Sequence, residues 1–320
     1  HRRVGYLPGE FALYDRLTSL PHPRIPPPAE LLLPRVNSQG VNLADLREID
    51  SLAAGAGEAS ASHWQAGPDV DGHDRGAATS MPRNNPARIA ERIGTTVDAT
   101  AADVPPAVTA AVAAQAAWDE LGAPARASIL LLAADLMEAR RAEFIARCVR
   151  EAGKTLPDAI GELREAVDFL RYYALQAGGD WGAERPLPGP TGVRNLLRFS
   201  GRGVFACISP WNFPVAIFTG QVAAALVAGN SVLEKPAEQT PLCAALAVEV
   251  LHAAGVPRAV LQCLPGPGAT VGAAMVRDPR VAGVVFTGST DTARLISRGL
   301  AARDGPIATL IAETGGLNAM

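Results

Sequence analysis

The sequence predicts an α/β fold, a doubly wound parallel sheet preceded by a helical segment and an irregular N-terminal arm. Three observations predict it. Five short β-rich runs follow Gly203: "GVFACIS", "SVLEKP", "AVLQCLP", "VAGVVFTG" and "IATLIAE". Helix-period stretches at 215–228, 241–254, 269–277 and 290–302 alternate with them. The runs are continuously apolar, as strands buried on both faces are, and right-handed crossovers then wind helices over both sides of one parallel sheet.

Residues 1–83 are expected to form a linker or arm of irregular structure. In "PHPRIPPPAELLLPRVNSQGVNLADL" the prolines fix extended backbone and deny a continuous helix. From Ser51 to Pro86 the chain turns to Ala, Gly, Ser, Asp and Asn, a composition that buries too little surface to order itself, so a surface loop is expected there. Residues 84–320 form the second unit, mainly helical over 84–200 and α/β over 201–320. In the helical part Val108, Val112 and "ILLLAADLM" (129–137) give apolar helix faces until Gly153 ends the run. In the next helix Ile160, Leu163, Val167, Leu170 and Ala174 recur at spacings of three and four, so one face is buried. Glu162, Glu165 and Asp168 share another face, where solvation is the plain expectation. Gly178-Gly179 is a stop signal.

Composition excludes several classes. With 320 residues, 48% apolar and 19% charged, the chain is long enough for a substantial core. Its 29 basic residues are outnumbered by 32 acidic ones, for a net charge of −3, so no polyanion-binding surface or nucleic-acid partner is expected. The four cysteines (148, 207, 243, 263) lie in apolar surroundings without a Cys-x-x-Cys pair, which points to free thiols in a reducing, cytoplasmic compartment and to no metal site. The most apolar stretch, Val215 to Gly229, has 15 residues, too few for a membrane span. No apolar signal segment opens the chain, and a start on His suggests a piece of a longer protein.

In doubly wound sheets ligands collect beyond the carboxyl ends of the strands, and the strand exits here are chemically unusual. The first is "SPWNFP", where Asn212 either starts an Asx turn or offers its side-chain amide to a developing oxyanion. The second, "EKPAEQTP", sets Lys235 three residues before Glu238, either to hold ribose hydroxyls or as a surface ion pair. The third, "PGPGATVG", is Gly-rich but lacks the dinucleotide spacing, and a helix-start turn explains it equally well. The fourth runs through Thr287-Gly288-Ser289 into a helix whose N-terminus can receive an anion or simply be capped by Ser289 or Thr290. The fifth delivers Glu313 onto a Thr-Gly-Gly turn, where desolvation would raise its pKa towards that of a general base.

"SPWNFP", "KPAEQTP", "FTGST" and "ETGG", in this order and spacing, resemble the aldehyde dehydrogenase superfamily over residues 84–320. Within it, "CVREAGKTLPDAIGELREAVDFLRYYALQA" resembles the glutamate semialdehyde (pyrroline-5-carboxylate) dehydrogenase domain carried by bifunctional proline-utilization flavoenzymes. The segment "PRIPPPAELLLPRVNSQGVNL" is similar, more loosely, to the stretch that joins the two halves of such enzymes. The resemblance implies a Rossmann-like NAD-binding domain and NAD-dependent oxidation of L-glutamate γ-semialdehyde to L-glutamate in proline catabolism. It implies Asn212 as oxyanion donor and Glu313 as the base that activates water. Lys235 and Glu238 would hold the adenosine ribose, the carboxylate favouring NAD over NADP. Ile208, Pro210, Trp211, Gly268 and Phe286 would line the cofactor cleft, with Gly288 and Ser289 beside the pyrophosphate. Phe213 would pack on the aliphatic part of the aldehyde substrate and Glu165 would meet its α-amino group. A homo-oligomer is implied for the full-length protein, and FAD only if a proline dehydrogenase domain precedes this segment.

The family's nucleophile is a cysteine thiolate that follows the glutamate by some tens of residues, and only seven residues follow Glu313. Cys207 and Cys263 fall inside expected strands, Cys148 and Cys243 inside expected helices, so all four read as core. This chain alone is therefore expected to be inactive. The alternatives are a non-catalytic NAD-binding or assembly module, or an aldehyde dehydrogenase with another substrate.

Overall fold

The computed structural model describes residues 24–26, 30–74, 80–179 and 182–315. The chain divides into two compact units, His1–Ser38 and Gln39–Met320. In the first, residues 30–35 make a turn closed by the Arg35 N–H donating to the Leu32 carbonyl at 3.0 Å. Residues 1–23, 27–29 and 75–79 of the arm, and the end of the Thr-Gly-Gly turn past Gly315, lie outside the described residues.

The second unit is built on a seven-stranded sheet. Its parallel part comprises β8 (Val204–Ile208), β9 (Ser231–Lys235), β10 (Leu261–Cys263), β11 (Val281–Gly288) and β12 (Thr309–Thr314). The order β12-β11-β8-β9-β10 reverses direction at β8, the switch point at which such sheets open a crevice. Beyond β10 the hairpin of β2 (Asp69–Val70) and β3 (His73–Asp74) adds antiparallel strands. Every residue of β8, β9 and β10 is buried, because helices cover both faces. Successive side chains point to opposite faces, so Phe205 and Cys207 join one core with α6 (Ala216–Val227) and α7 (Pro241–Ala253). Val204, Ala206 and Ile208 join a second core with α8 (Ala273–Arg277) and α9 (Thr290–Ala301).

The helical part contributes to both cores, its first helix to the second core through Val104, Ala107, Val108 and Ala111 and the other three to the first. It holds α2 (Val104–Glu120), α3 (Ala123–Ala139), α4 (Arg141–Arg150) and α5 (Leu156–Gly178), the last capped by Thr155 and ending at the expected glycine pair. The predicted stripe Ile160, Leu163, Val167, Leu170 and Ala174 is buried, whereas Val112, expected on an apolar face, is 47% exposed. The π-helical turn Gly268–Gly272 and α8 together take the place of the single helix expected at 269–277.

One expectation fails outright. The stretch read as arm and loop contains α1 (Leu46–Ala61), β1 (Trp64–Ala66) and β4 (Met81–Asn85), and the part expected to be mainly helical opens with β5 (Arg88–Thr96); β1-β5-β4 form a second sheet, and β6 (Arg185–Leu187) pairs with β7 (Asn195–Leu197) in a third. The small residues that look like coil are a helix contact. A Cβ on Gly55 would stand 2.9 Å from the Cβ of Ala142 on α4, so only a small residue lets the two helices approach. Trp64 is buried between the guanidinium groups of Arg147 and Arg150, 5.2 and 5.4 Å from its ring.

Candidate active site

Strand register sets the site. Lys235, Ile208, Phe286 and Ala312 are successive partners across β9, β8, β11 and β12, and Thr287 pairs with Glu313 one residue further on. The exits of these four strands therefore open on one rim.

On the face of the second core, a cavity of about 490 Å³ lies between the strand ends and helices α8 and α9. Ile208, Lys235, Gly268, Val276, Leu295 and Ile296 are among its walls. Lys235 is buried and donates to the carbonyls of Pro236 (2.8 Å) and Gly266 (3.0 Å), so it is not half of a surface ion pair. Burial pushes its pKa below the ordinary lysine value, with Glu234 and Glu238 working the other way. Glu238 is exposed and accepts the Gly268 N–H at 2.8 Å, which ties the second exit to the third. A Cβ on Gly268 or Gly272 would come within 3.9 or 3.5 Å of the Lys235 stem, so bare backbone keeps the cavity beside the lysine open.

At the fourth exit Ser289 caps α9, its Oγ accepting the Thr292 N–H at 3.2 Å. Gly288 leaves room for the Phe286 ring, which a Cβ would strike at 2.6 Å. At the first exit Pro210 is half-buried, and Trp211, Asn212 and Phe213 are exposed. Glu313 lies within β12 instead of beyond it, and it is exposed. The desolvation expected at that exit is absent.

The cavity brings together Ile208, Lys235 and Gly268, with Glu238 tied to it through the Gly268 N–H. Phe286, Asn212, Ser289 and Glu313 stand at the same strand ends without lining it. A larger hollow of about 630 Å³ on the far side of β10 meets only Cys263 among the residues of β8 to β12, away from the exits of β8, β9, β11 and β12.

Sequence reasoning missed three side chains near the first exit. Glu162, expected on a solvated face, is buried and accepts the N–H groups of Val215 (3.1 Å) and Ala216 (2.9 Å) where α6 begins. Lys154 brings its ammonium 2.9 Å from the other Glu162 oxygen, an ion-pair contact and not an aligned hydrogen bond. Gln221, also buried, donates to Thr287 Oγ1 at 2.9 Å and links α6 to the β11 exit. Only the place of Glu162 at the border of the buried arc of α5 signals any of this. Glu165, one turn on, is exposed, yet partial desolvation of its carboxyl, with the Glu162 charge adding, raises its pKa.

The four cysteines are free and buried. Burial pushes the thiols of Cys207, Cys243 and Cys263 well up from the ordinary value, the reverse of what a thiolate nucleophile needs. Among the described residues no helix is long and apolar enough to cross a membrane.

The model of the aldehyde dehydrogenase family matches residues 73–320, somewhat earlier than the motifs alone indicate. The bifunctional protein PutA of Escherichia coli K12 is 47% identical over 317 residues, covering 97% of this chain and 23% of that protein. A 1-pyrroline-5-carboxylate dehydrogenase of Geobacillus thermodenitrificans is 41% identical over 243 residues, 74% of this chain and 46% of the enzyme. Among solved structures, proline utilization A of Bradyrhizobium japonicum matches with a TM-score of 0.79 at 47% identity, over 95% of this chain and 28% of that one. A Thermus 1-pyrroline-5-carboxylate dehydrogenase with bound NAD matches with a TM-score of 0.84 at 30% identity, over 89% and 56%. The chain thus spans about a quarter of the length of the PutA relatives.

Proposed function

The chain belongs to the aldehyde dehydrogenase family, and from that premise we propose that it supplies the NAD-binding part and two of the catalytic groups of an L-glutamate γ-semialdehyde dehydrogenase acting in proline catabolism. One observation carries the reading. The cavity at the carboxyl ends of β8 and β9 joins an apolar slot suited to a flat base with Lys235 and Glu238 placed for ribose hydroxyls.

NAD, when bound, accepts the hydride. The chain's own residues do the rest. Ile208, Gly268 and Phe286 wall the base and ribose, with Pro210 and Trp211 along the cleft. Gly288 and Ser289 present the N-terminus of α9 to the pyrophosphate. Asn212 donates its side-chain amide to the carbonyl oxygen as charge develops, and Glu313 takes a proton from the attacking water. Phe213 packs on the aliphatic part of the substrate. Glu165, already repelled by Glu162, gains most from the cationic α-amino group. The thiol nucleophile comes from outside these residues, since all four cysteines are inside the cores.

The free thiols support a reducing, cytoplasmic setting, and family membership supports a homo-oligomer in the whole protein. FAD belongs only to a protein in which a proline dehydrogenase part precedes this one. The domain division at 83/84 belongs to the same reading, although the compact unit that holds the sheet begins earlier, at Gln39.

Calorimetric titration tests the reading. The chain is expected to bind NAD saturably and NADP at least roughly tenfold more weakly, a difference of about 1.4 kcal/mol. Lys235→Met is expected to lose most of the NAD affinity. No saturable NAD binding by a folded chain would sink the reading.

A further inference from the structure

The loop that leaves β8 is held from outside the sheet. Glu162 on α5 is withdrawn from water; one of its oxygens accepts two backbone N–H groups and the other faces the Lys154 ammonium as an ion pair. The two N–H groups belong to Val215 and Ala216, the residues directly after Pro214. The same ammonium stands 4.5 Å from the centre of the Phe213 ring. Lys154 is itself fixed, for its N–H donates to the Cys148 carbonyl at 3.2 Å and the next residue, Thr155, caps α5. Close packing holds the other side: a Cβ on Gly220 of α6 would come within 3.0 Å of the Phe169 ring of α5.

We infer that Glu162 and Lys154 are positioning residues for the exit loop 209–214, holding Asn212 and Phe213 against the cofactor cleft through a buried ion pair that grips both ends of the loop's last turn. A shift of the loop that carries Val215 and Ala216 with it breaks both N–H bonds to the buried carboxylate and leaves it facing Lys154 alone. Loss of Lys154 removes the cation from the other oxygen and leaves the two N–H groups to hold a buried acid whose ion pair is broken. The loop is thereby tied to a helix that lies outside the sheet's own crossovers. Neither residue lines the cavity itself.

The inference rests on the NAD-binding reading, and its test separates the two. Amide hydrogen exchange over 209–216 and NAD titration are measured on the unmodified chain, Lys154→Met and Lys154→Arg. A double variant, Lys154→Met with Glu162→Gln, keeps the buried site neutral should the single variant fold poorly. Lys154→Met, or the double variant in its place, is expected to speed exchange at Val215 and Ala216 at least tenfold relative to the core of α7. It is also expected to weaken NAD binding at least threefold, and Lys154→Arg to restore both. Unchanged exchange at these amides in both Met-bearing variants overturns the inference. Faster exchange with unaltered NAD affinity overturns it too, for the pair is then only structural. If the unmodified chain binds no NAD, the cofactor reading fails, and exchange at Val215 and Ala216 alone decides whether the pair holds the loop.

Discussion

At the scale of single residues, the site is a set of side chains whose backbone surroundings decide what each can do. Glu238 is exposed, but its bond to the Gly268 N–H fixes it at the edge of the cavity. Glu238→Ala is expected to lower NAD affinity on the order of tenfold, the worth of one charged hydrogen bond, and to remove the preference over NADP. Paired titrations with the two dinucleotides check it, and a retained preference contradicts the role given to this carboxylate. The exits were legible because polar residues and glycines interrupt apolar strands there. Glu162 was not, since helix periodicity places it beside Glu165 and Asp168, one step from the buried stripe, and only the packing of α6 on α5 decides which side of the border it takes. The exposure of Glu313 was equally hidden, because cover over a strand end is a tertiary property.

Among the elements, the junction of α4 with α7 makes a sharp prediction. Glu151 follows α4 and accepts the N–H groups of Leu242 (2.8 Å) and Cys243 (2.7 Å) in the first turn of α7. Burial raises its pKa to about 7, those two bonds opposing the rise. The folded pKa thus lies above the unfolded value, so this group's contribution to stability is full below pH ~4.5 and is lost as pH rises through ~7. The loss amounts to about 3 kcal/mol. Glu151→Gln is expected to flatten that part of the profile, measured as denaturant midpoints of both proteins between pH 4 and 8. Equal slopes in the two would contradict it. The parallel strands and their helices were readable to within two residues at most ends, because burial on both faces leaves a continuous apolar signature. The elements from Leu46 to Thr96 were not, since β1, β2 and β3, of two or three residues, carry no period, β4 and the first half of β5 are largely exposed, and α1 uses small residues for contact instead of a large apolar stripe.

For the whole molecule, the decisive fact is where its thiols are. With all four cysteines inside the first core, a polypeptide of these 320 residues is expected to show no semialdehyde-dependent NADH formation even while it binds NAD. The assay is absorbance at constant NAD, and turnover by these residues alone would refute the assignment of the nucleophile elsewhere. The sheet also works as a partition. Along β8 the odd and even positions serve different chambers, Ile208 the cavity side and Cys207 the packed rear. Inserting one residue after Val204 would exchange these duties, turning an uncharged sulfhydryl toward the nucleotide and an isoleucine toward helix α6, with Ser209 and everything after it thrown out of phase. Changes of length in these five residues are therefore predicted to be far less tolerated than changes of identity.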